Sequence, residues 1–424
     1  MSDTGQELPL LRGEVPGPRS RELARRLAQV ESRNVTCLLP APPIFWERAR
    51  GANVWDVDGN RFVDLTAGLG VAAVGHAHPR VVDAVTEQSE RLLHAMGDVH
   101  PGAVKVALLE ALARRFPGGG PARAILGSSG SDAVEAALKT ALLATGRAGV
   151  VAFEGAYHGL GFGALDATWR PHFREPFRAR LPGATVFAGY GDADDARRAA
   201  RESRVPIGAV LVEPVQGRGG DRLPPPGFLA ALRRLCDAEG WLLIADEIYT
   251  GFGRTGRWFA CEHEGVVPDL LCVAKGLASG MPISACVGRA QWMDAWPPSG
   301  GEAIHTQTFL GHPPACAAAL ASIAVLEEEK LVPRAAEIGA RALTGLRAKL
   351  RGRPGIADVR GVGLLMAVEC DTPEQASRAC AQALARGVIV LSSGDDGRVL
   401  SLTPPLSIAE PLLDDALARV AASL

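Results

Sequence analysis

Five lysines stand against forty arginines in this 424-residue chain, and one of the five, Lys275, closes a short apolar run. Leu270 to Ala274 precede it and Gly276 follows, whereas Lys105, Lys139, Lys330 and Lys349 lie in helix-like stretches where a solvated charge is expected. A lysine at the end of a buried strand must pair its charge or lose its proton. A desolvated amine with a lowered pKa is the nucleophile that forms Schiff bases. The plain alternative is a lysine buried beside a structural carboxylate, so its neighbours decide.

Gly127, Ser128, Ser129, Gly130 and Ser131 end another strand-like run, and Asp132 with Glu135 opens a helical pattern through Leu143 in capping-box spacing. Glycines that let the backbone approach closely, hydroxyls and the unpaired N–H groups of a helix start form a phosphate cradle, though glycine and serine before a helix are more often only turn and cap. The loop lacks both a Walker lysine and a G-x-G-x-x-G pattern, so it suits a single phosphate. Asp246 ends its run twenty-nine residues before Lys275 (275 minus 246), and a carboxylate buried there needs a positive partner such as a protonated pyridine nitrogen. Tyr157, in the turn Glu154 to Gly159, could stack on one face of a flat ring while Ile248 covers the other, although either would pass as core in isolation. A Schiff-base lysine, an aspartate for a ring nitrogen, a phosphate cradle and a stacking aromatic are together what pyridoxal 5'-phosphate requires.

The elements that must position these groups are legible as five apolar runs, each ending in a polar or glycine-rich turn. They are Arg123 to Leu126, Gly149 to Phe153, Ile207 to Val212, Trp241 to Ala245 and Leu270 to Ala274. Helical patterns separate most of them, for instance Phe228 to Glu239 with Gly240 as its C-cap. Strands apolar on both faces that alternate with helices predict a mainly parallel α/β sheet, with its ligand crevice outside the carboxyl ends. From about Ala315 the character changes. Helical stretches at Ala315 to Glu329 and Ala335 to Leu350 lead into Asp358 to Glu369, Val388 to Leu391 and Arg398 to Thr403, which predicts a smaller α+β domain. The segment before Gly75, with a hairpin turn at Asp58, Gly59 and Asn60, is expected to pack against it. The expected division is 1–75, 76–314 (the large cofactor-binding domain) and 315–424.

Composition narrows the partners. A formal charge of -2 gives no electrostatic reason to expect nucleic acid or an anionic membrane, so the ligand is expected to be small. Eight cysteines without a C-x-x-C pair, and no leader-like apolar stretch, fit a reducing cytoplasm. Cys261, Glu262, His263 and Glu264 are too close in sequence to converge on one ion, and no metal is expected. No stretch reaches transmembrane length, and the first twenty residues read as an arm over the surface.

From roughly Ile44 onward the chain resembles the class III (omega) pyridoxal-phosphate-dependent aminotransferases of fold type I. The resemblance is carried by VWDVDGN (54–60), GHAHP (75–79), SGSDAVE (129–135), YHG (157–159), EPVQG (213–217), DEIYTGFGRTG (246–256), AKG (274–276), TFLGHP (308–313) and RGVG (360–363). It implies that Lys275 holds the cofactor as a Schiff base and that Asp246 pairs with its ring nitrogen. It places Ser129, Gly130 and Ser131 at the phosphate, Tyr157, His158 and Ile248 about the ring, and Glu213 among the cofactor-side hydrogen bonds. Tyr249 stands where many members carry glutamine. Thr308 resembles the threonine that reaches the phosphate of the other subunit, which implies a homodimer with shared sites.

Members that use glutamate pair a glutamate directly after EP-x-QG with an arginine in R-x-x-P-P-L, and here those positions hold Arg218 and Ser401. Either one substitution permitted the other, or a substrate carboxylate is handled by Arg218 or Arg398, or the main substrate has no alpha-carboxylate. Phe45 and Trp46 are further candidates for the substrate pocket. The expected activity is amino-group transfer from an amine or omega-amino acid to a carbonyl acceptor through a pyridoxamine phosphate form. A racemase or aminomutase on the same scaffold is the alternative, and a cofactor-binding paralogue without catalysis is a third.

Overall fold

The structure, a computed structural model, describes residues 4–37 and 42–424. Three short strands come first: β1 (Trp46–Arg50), β2 (Asn53–Asp56) and β3 (Arg61–Asp64). The last two form the expected hairpin, with Gly59 at φ 84° in a turn that residues with a Cβ resist. Asp56 locks that turn by accepting the Asp58 and Asn60 N–H groups at 3.0 and 2.8 Å. The start of the described N-terminal arm is tied down twice: Leu10 exchanges backbone hydrogen bonds with Arg61, and Gln6 Oε1 accepts the Ala409 N–H at 2.8 Å. Sequence reading missed the helix Pro18–Val30 within it.

The central sheet has seven strands: β4 (Ala122–Gly127), β5 (Gly149–Phe153), β6 (Thr185–Ala188), β7 (Ile207–Val212), β8 (Leu242–Asp246), β9 (Leu270–Val273) and β10 (Ser284–Arg289). Their order is β4-β10-β9-β8-β7-β5-β6, with β10 antiparallel to both neighbours and the other pairs parallel. Alternate residues of each inner strand enter two different cores. Val151, Phe153, Val210, Val212, Leu243 and Ala245 pack on one side, and Val150, Ala152, Ala209, Leu211, Leu242 and Ile244 on the other. Period-two pleating with both faces covered is why these strands read as unbroken apolar runs. The helix Gly130–Thr145 covers one face and Phe228–Glu239 the other, the latter ending at Gly240 with φ 64°.

The remaining strands are β11 (Ile356–Val362), β12 (Leu365–Cys370), β13 (Val388–Ile389), β14 (Leu391–Ser393) and β15 (Val399–Leu402). An antiparallel sheet in the order β11-β12-β15-β14 follows the helices Pro313–Glu328 and Leu331–Leu350, while β13 pairs in parallel with β3 and so joins the two ends of the chain. Among the described residues no helix is long and apolar enough to cross a membrane.

Candidate active site

The carboxyl ends of four parallel strands, and the turns after them, converge on one place. β9 delivers Lys275, β8 delivers Asp246, β5 leads to Tyr157 and His158, and β7 leads to Glu213. Lys275 sits at φ 28°, a left-handed conformation that costs a residue with a Cβ on the order of 1–3 kcal/mol and that the surrounding fold must impose. Among the described residues its Nζ has no carboxylate partner. It lies 5.3 Å from the centre of the Tyr249 ring. Burial lowers its pKa, the Asp246 and Glu213 charges oppose that without overcoming it, and Arg218 adds to the lowering.

Asp246 uses both oxygens. Oδ1 accepts the Ile248 N–H at 3.1 Å, and Oδ2 lies 2.7 Å from His158 Nδ1. Burial alone would discharge His158. The Asp246 carboxylate outweighs it, with Glu213 adding, so the imidazole ends above its ordinary pKa. Its Nε2 is buried without a partner among the described residues. Glu213 accepts the Tyr157 N–H at 3.0 Å and the Gly217 N–H at 3.3 Å, and burial pushes its pKa up to about 7.

At the start of the helix Gly130–Thr145 the capping box joins Ser129 to Asp132, one turn before the expected Asp132 and Glu135. Asp132 is the better placed because its short carboxylate reaches back to the Ser128 and Ser129 N–H groups, both at 2.9 Å. Glu135 instead accepts the N–H groups of Gly163 and Ala164 at 2.8 and 3.0 Å. Among the described residues no acceptor takes the N–H groups of Gly130 and Ser131, which leaves two donors at the positive end of a sixteen-residue helix. The Ser131 hydroxyl accepts the Gly161 N–H at 3.0 Å. A Cβ at Gly130 would meet Ile248 at 3.0 Å, so the cradle is packed directly on the residue expected to cover the ring.

On the opposite wall the Tyr249 hydroxyl reaches Ser401 Oγ at 3.2 Å and Thr403 Oγ1 at 3.4 Å, so Ser401 is drawn into the site. Arg218 is exposed on the loop after Gly217, its guanidinium 4.9 Å from the centre of the Tyr157 ring and 5.6 Å from that of Phe173. The other positions fall further out. Arg398 is a surface residue bonded to Asp396 at 2.7 Å, Trp46 lies edge-on to His76 on β1, and Phe45 accepts the Val57 N–H through its carbonyl. Thr308 is exposed in the turn before the helix Pro313–Glu328. Of the residues considered as metal ligands, Cys261 is buried, His263 bonds Thr255, and Glu264 accepts the Gly227 and Ala230 N–H groups at the start of the helix Phe228–Glu239. Among the described residues no cluster is placed to hold a metal ion.

Sequence reading missed Asp221, which lies fully buried near Ser401 with neither carboxylate oxygen hydrogen-bonded among the described residues. In a Gly-Gly-Asp stretch it reads as a turn residue, and its φ of 48° fits that. Burial pushes its pKa up to about 7, with Ser401 nearby and the Arg360 charge pulling it down, Glu213 pushing it up and Arg254 pulling it down. A carboxyl whose pKa is raised on folding adds stability that is complete below the unfolded value and lost as pH climbs through the folded one. Asp221→Asn should therefore unfold at the same temperature as the wild type near pH 4 and at a higher one near pH 8. Thermal unfolding across that range checks this, and a variant that is less stable at both ends contradicts it.

Comparison with known proteins settles the family. The model of "Aminotransferase class-III" matches residues 39–424. The chain belongs to the class III aminotransferases. A 4-aminobutyrate aminotransferase of Mycobacterium leprae is 40% identical over 95% of both chains, and an acetylornithine aminotransferase of Methanopyrus kandleri is 42% identical over 90% of this chain and 94% of its own. The crystal structure of the ornithine aminotransferase from Toxoplasma gondii superposes with a TM-score of 0.87 at 33% identity, covering 95% of this chain and 94% of that one.

Class III aminotransferases depend on pyridoxal 5'-phosphate, and the residues present here fit it. Two free helix-start donors suit its phosphate, an unpaired enclosed lysine suits its aldehyde, and Asp246, braced by His158, suits its ring nitrogen.

Proposed function

We propose that this class III aminotransferase takes the amino group from a terminal amine or omega-amino acid and passes it to an aldehyde or ketone in the same site. The observation that carries this is Lys275, an enclosed amine over the Tyr249 ring without a carboxylate partner among the described residues, at the end of the strand beside the one that delivers the Asp246–His158 pair. The bound cofactor would act as the electron sink that makes a carbon–hydrogen bond of the substrate acidic. Lys275 would then carry that proton from the substrate carbon, a transfer that its lowered pKa favours. Asp246 would keep the ring nitrogen protonated, while Ile248 and Tyr157 would cover the ring. The names of the relatives, 4-aminobutyrate and acetylornithine aminotransferases, support transfer and lend none to the isomerase alternative.

Mixing the holoenzyme with an amine donor and no acceptor tests the reading. The absorbance of the lysine-bound cofactor should disappear as a carbonyl product is released. An enzyme that keeps that absorbance and only inverts its substrate is an isomerase.

The same proposal includes a homodimer in the cytoplasm. Phe309, Ile304, Met96 and Leu93 are more than half exposed around Thr308, an apolar surface that a second copy would cover. Thr308→Val should weaken cofactor retention by about 1.5–3 kcal/mol, one charge-assisted hydrogen bond, without dissociating the dimer. Cofactor release measured alongside sedimentation checks both parts, and a fully active monomer contradicts the shared site.

A further inference from the structure

The arginines around the mouth of the site are not equivalent. Arg170 holds Asp395 at 3.2 Å, Arg360 holds Glu369 at 2.6 Å, and Arg398 holds Asp396 at 2.7 Å. Arg254 points inward, donating to the carbonyls of Leu364 and Pro404 at 3.0 and 2.5 Å. Arg222 lies over Tyr190, 5.6 Å from the ring centre. Among the described residues the Arg218 guanidinium has neither a salt bridge nor a hydrogen bond, only the ring faces of Tyr157 and Phe173.

Its backbone is nevertheless fixed. The Arg218 carbonyl accepts from Arg170 Nη2 at 2.9 Å and from the Gly394 N–H at 3.1 Å, and the adjoining Gly217 leaves no room for a Cβ, which would lie 2.5 Å from the Tyr249 ring. A guanidinium resting on aromatic rings keeps its in-plane N–H fork free, which is the geometry that grips a carboxylate. Arg218 is also the arginine whose charge reaches Lys275.

We infer that Arg218 receives the distal carboxylate of an omega-amino acid, holding it with the guanidinium fork while the substrate's terminal amine reaches Lys275. This rests on the aminotransferase reading and narrows it from amines in general to amines that end in a carboxylate. On the opposite wall Ser401 offers only a hydroxyl, engaged with Tyr249, and Arg254 behind that wall is committed to the Leu364 and Pro404 carbonyls. The pair Arg218 and Ser401 would then be a relocated carboxylate site rather than a lost one.

The test compares 4-aminobutanoate with butylamine, and the same pair one and two carbons longer, in wild type, Arg218→Gln and Arg218→Lys. The ratio of kcat/KM for the carboxylate donor to that for the plain amine should fall roughly tenfold or more in Arg218→Gln, with Arg218→Lys keeping part of it. Inhibition by butanoate or pentanoate, which have the carboxylate and no amine, should weaken by a similar factor. That readout involves no turnover of the inhibitor. If both donors slow together and the ratio is unmoved, Arg218 only braces Tyr157 and the inference fails. A wild type that wins amino groups from the plain amines as efficiently as from the carboxylate donors overturns it as well, while leaving amino transfer intact. A wild type inert toward every donor overturns the aminotransferase reading beneath it.

Discussion

Lys275→Ala should abolish the absorbance of lysine-bound cofactor and lower turnover by at least about ten-thousand-fold, while the protein stays folded. The four other lysines cannot stand in. Lys105 is held by the Gly97 carbonyl at 2.6 Å, Lys139 lies 3.2 Å from His305, and Lys330 and Lys349 belong to the start and last turn of the helix Leu331–Leu350. The substitution takes away an amine that pays for its burial with a lowered pKa, and it leaves the apolar cores untouched, so unfolding temperature without cofactor should not drop. Borohydride reduction of the wild type followed by peptide mapping supplies the check. Cofactor fixed to any lysine other than 275 sinks the assignment.

What could be seen in advance follows from where each group's signal resides. β5, β7, β8 and β9 are apolar on both faces, so local sequence alone announces them, and a polar residue at such a strand's end is conspicuous. That is why Lys275 and Asp246 were legible. β6 escaped because Thr185–Ala188 is a four-residue edge strand, largely half-buried, and β10 because Ser284, Gly288 and Arg289 interrupt its apolar character. The capping box was misplaced by one turn because Asp132 fits both the first and the last position of the pattern, and only the backbone shows that Ser129 is the cap.

How the distant segments of the site meet was not legible. Arg218 and Arg398 look alike as candidates in sequence. Asp396, two residues from Arg398, takes one of them out of the site, while Phe173 and Tyr157 give the other a platform. Asp221 gains its raised pKa only from its burial in the folded chain, which the Ser401 hydroxyl and the Arg360 charge offset in part. Likewise the orphaned Nε2 of His158 is a property of burial, and no spacing in YHG announces it.

Asp246→Asn is expected to bind the cofactor and lose three orders of magnitude or more in rate, about 4 kcal/mol of barrier. The amide keeps the shape: one oxygen can still accept from the Ile248 N–H or face His158 Nδ1. What it removes is the negative charge, and that charge has two tasks. On the proposed reading it would hold a proton on the cofactor's ring nitrogen, and it keeps the fully buried His158 above its ordinary pKa against the cost of desolvation. Part of the wild type's stability from that histidine is therefore complete below its unfolded pKa and lost as pH rises through the raised folded one, and the variant should lack it. The rate loss and the altered pH dependence of unfolding should appear together, because a single carboxylate causes both. Single-turnover rates with a saturating amine donor, with cofactor content confirmed by absorbance, measure the first, and thermal unfolding between about pH 5 and pH 9 measures the second. A variant that retains cofactor and turns over within tenfold of the wild type would show that the ring nitrogen needs no carboxylate here, and the electron-sink account of this site would have to be abandoned.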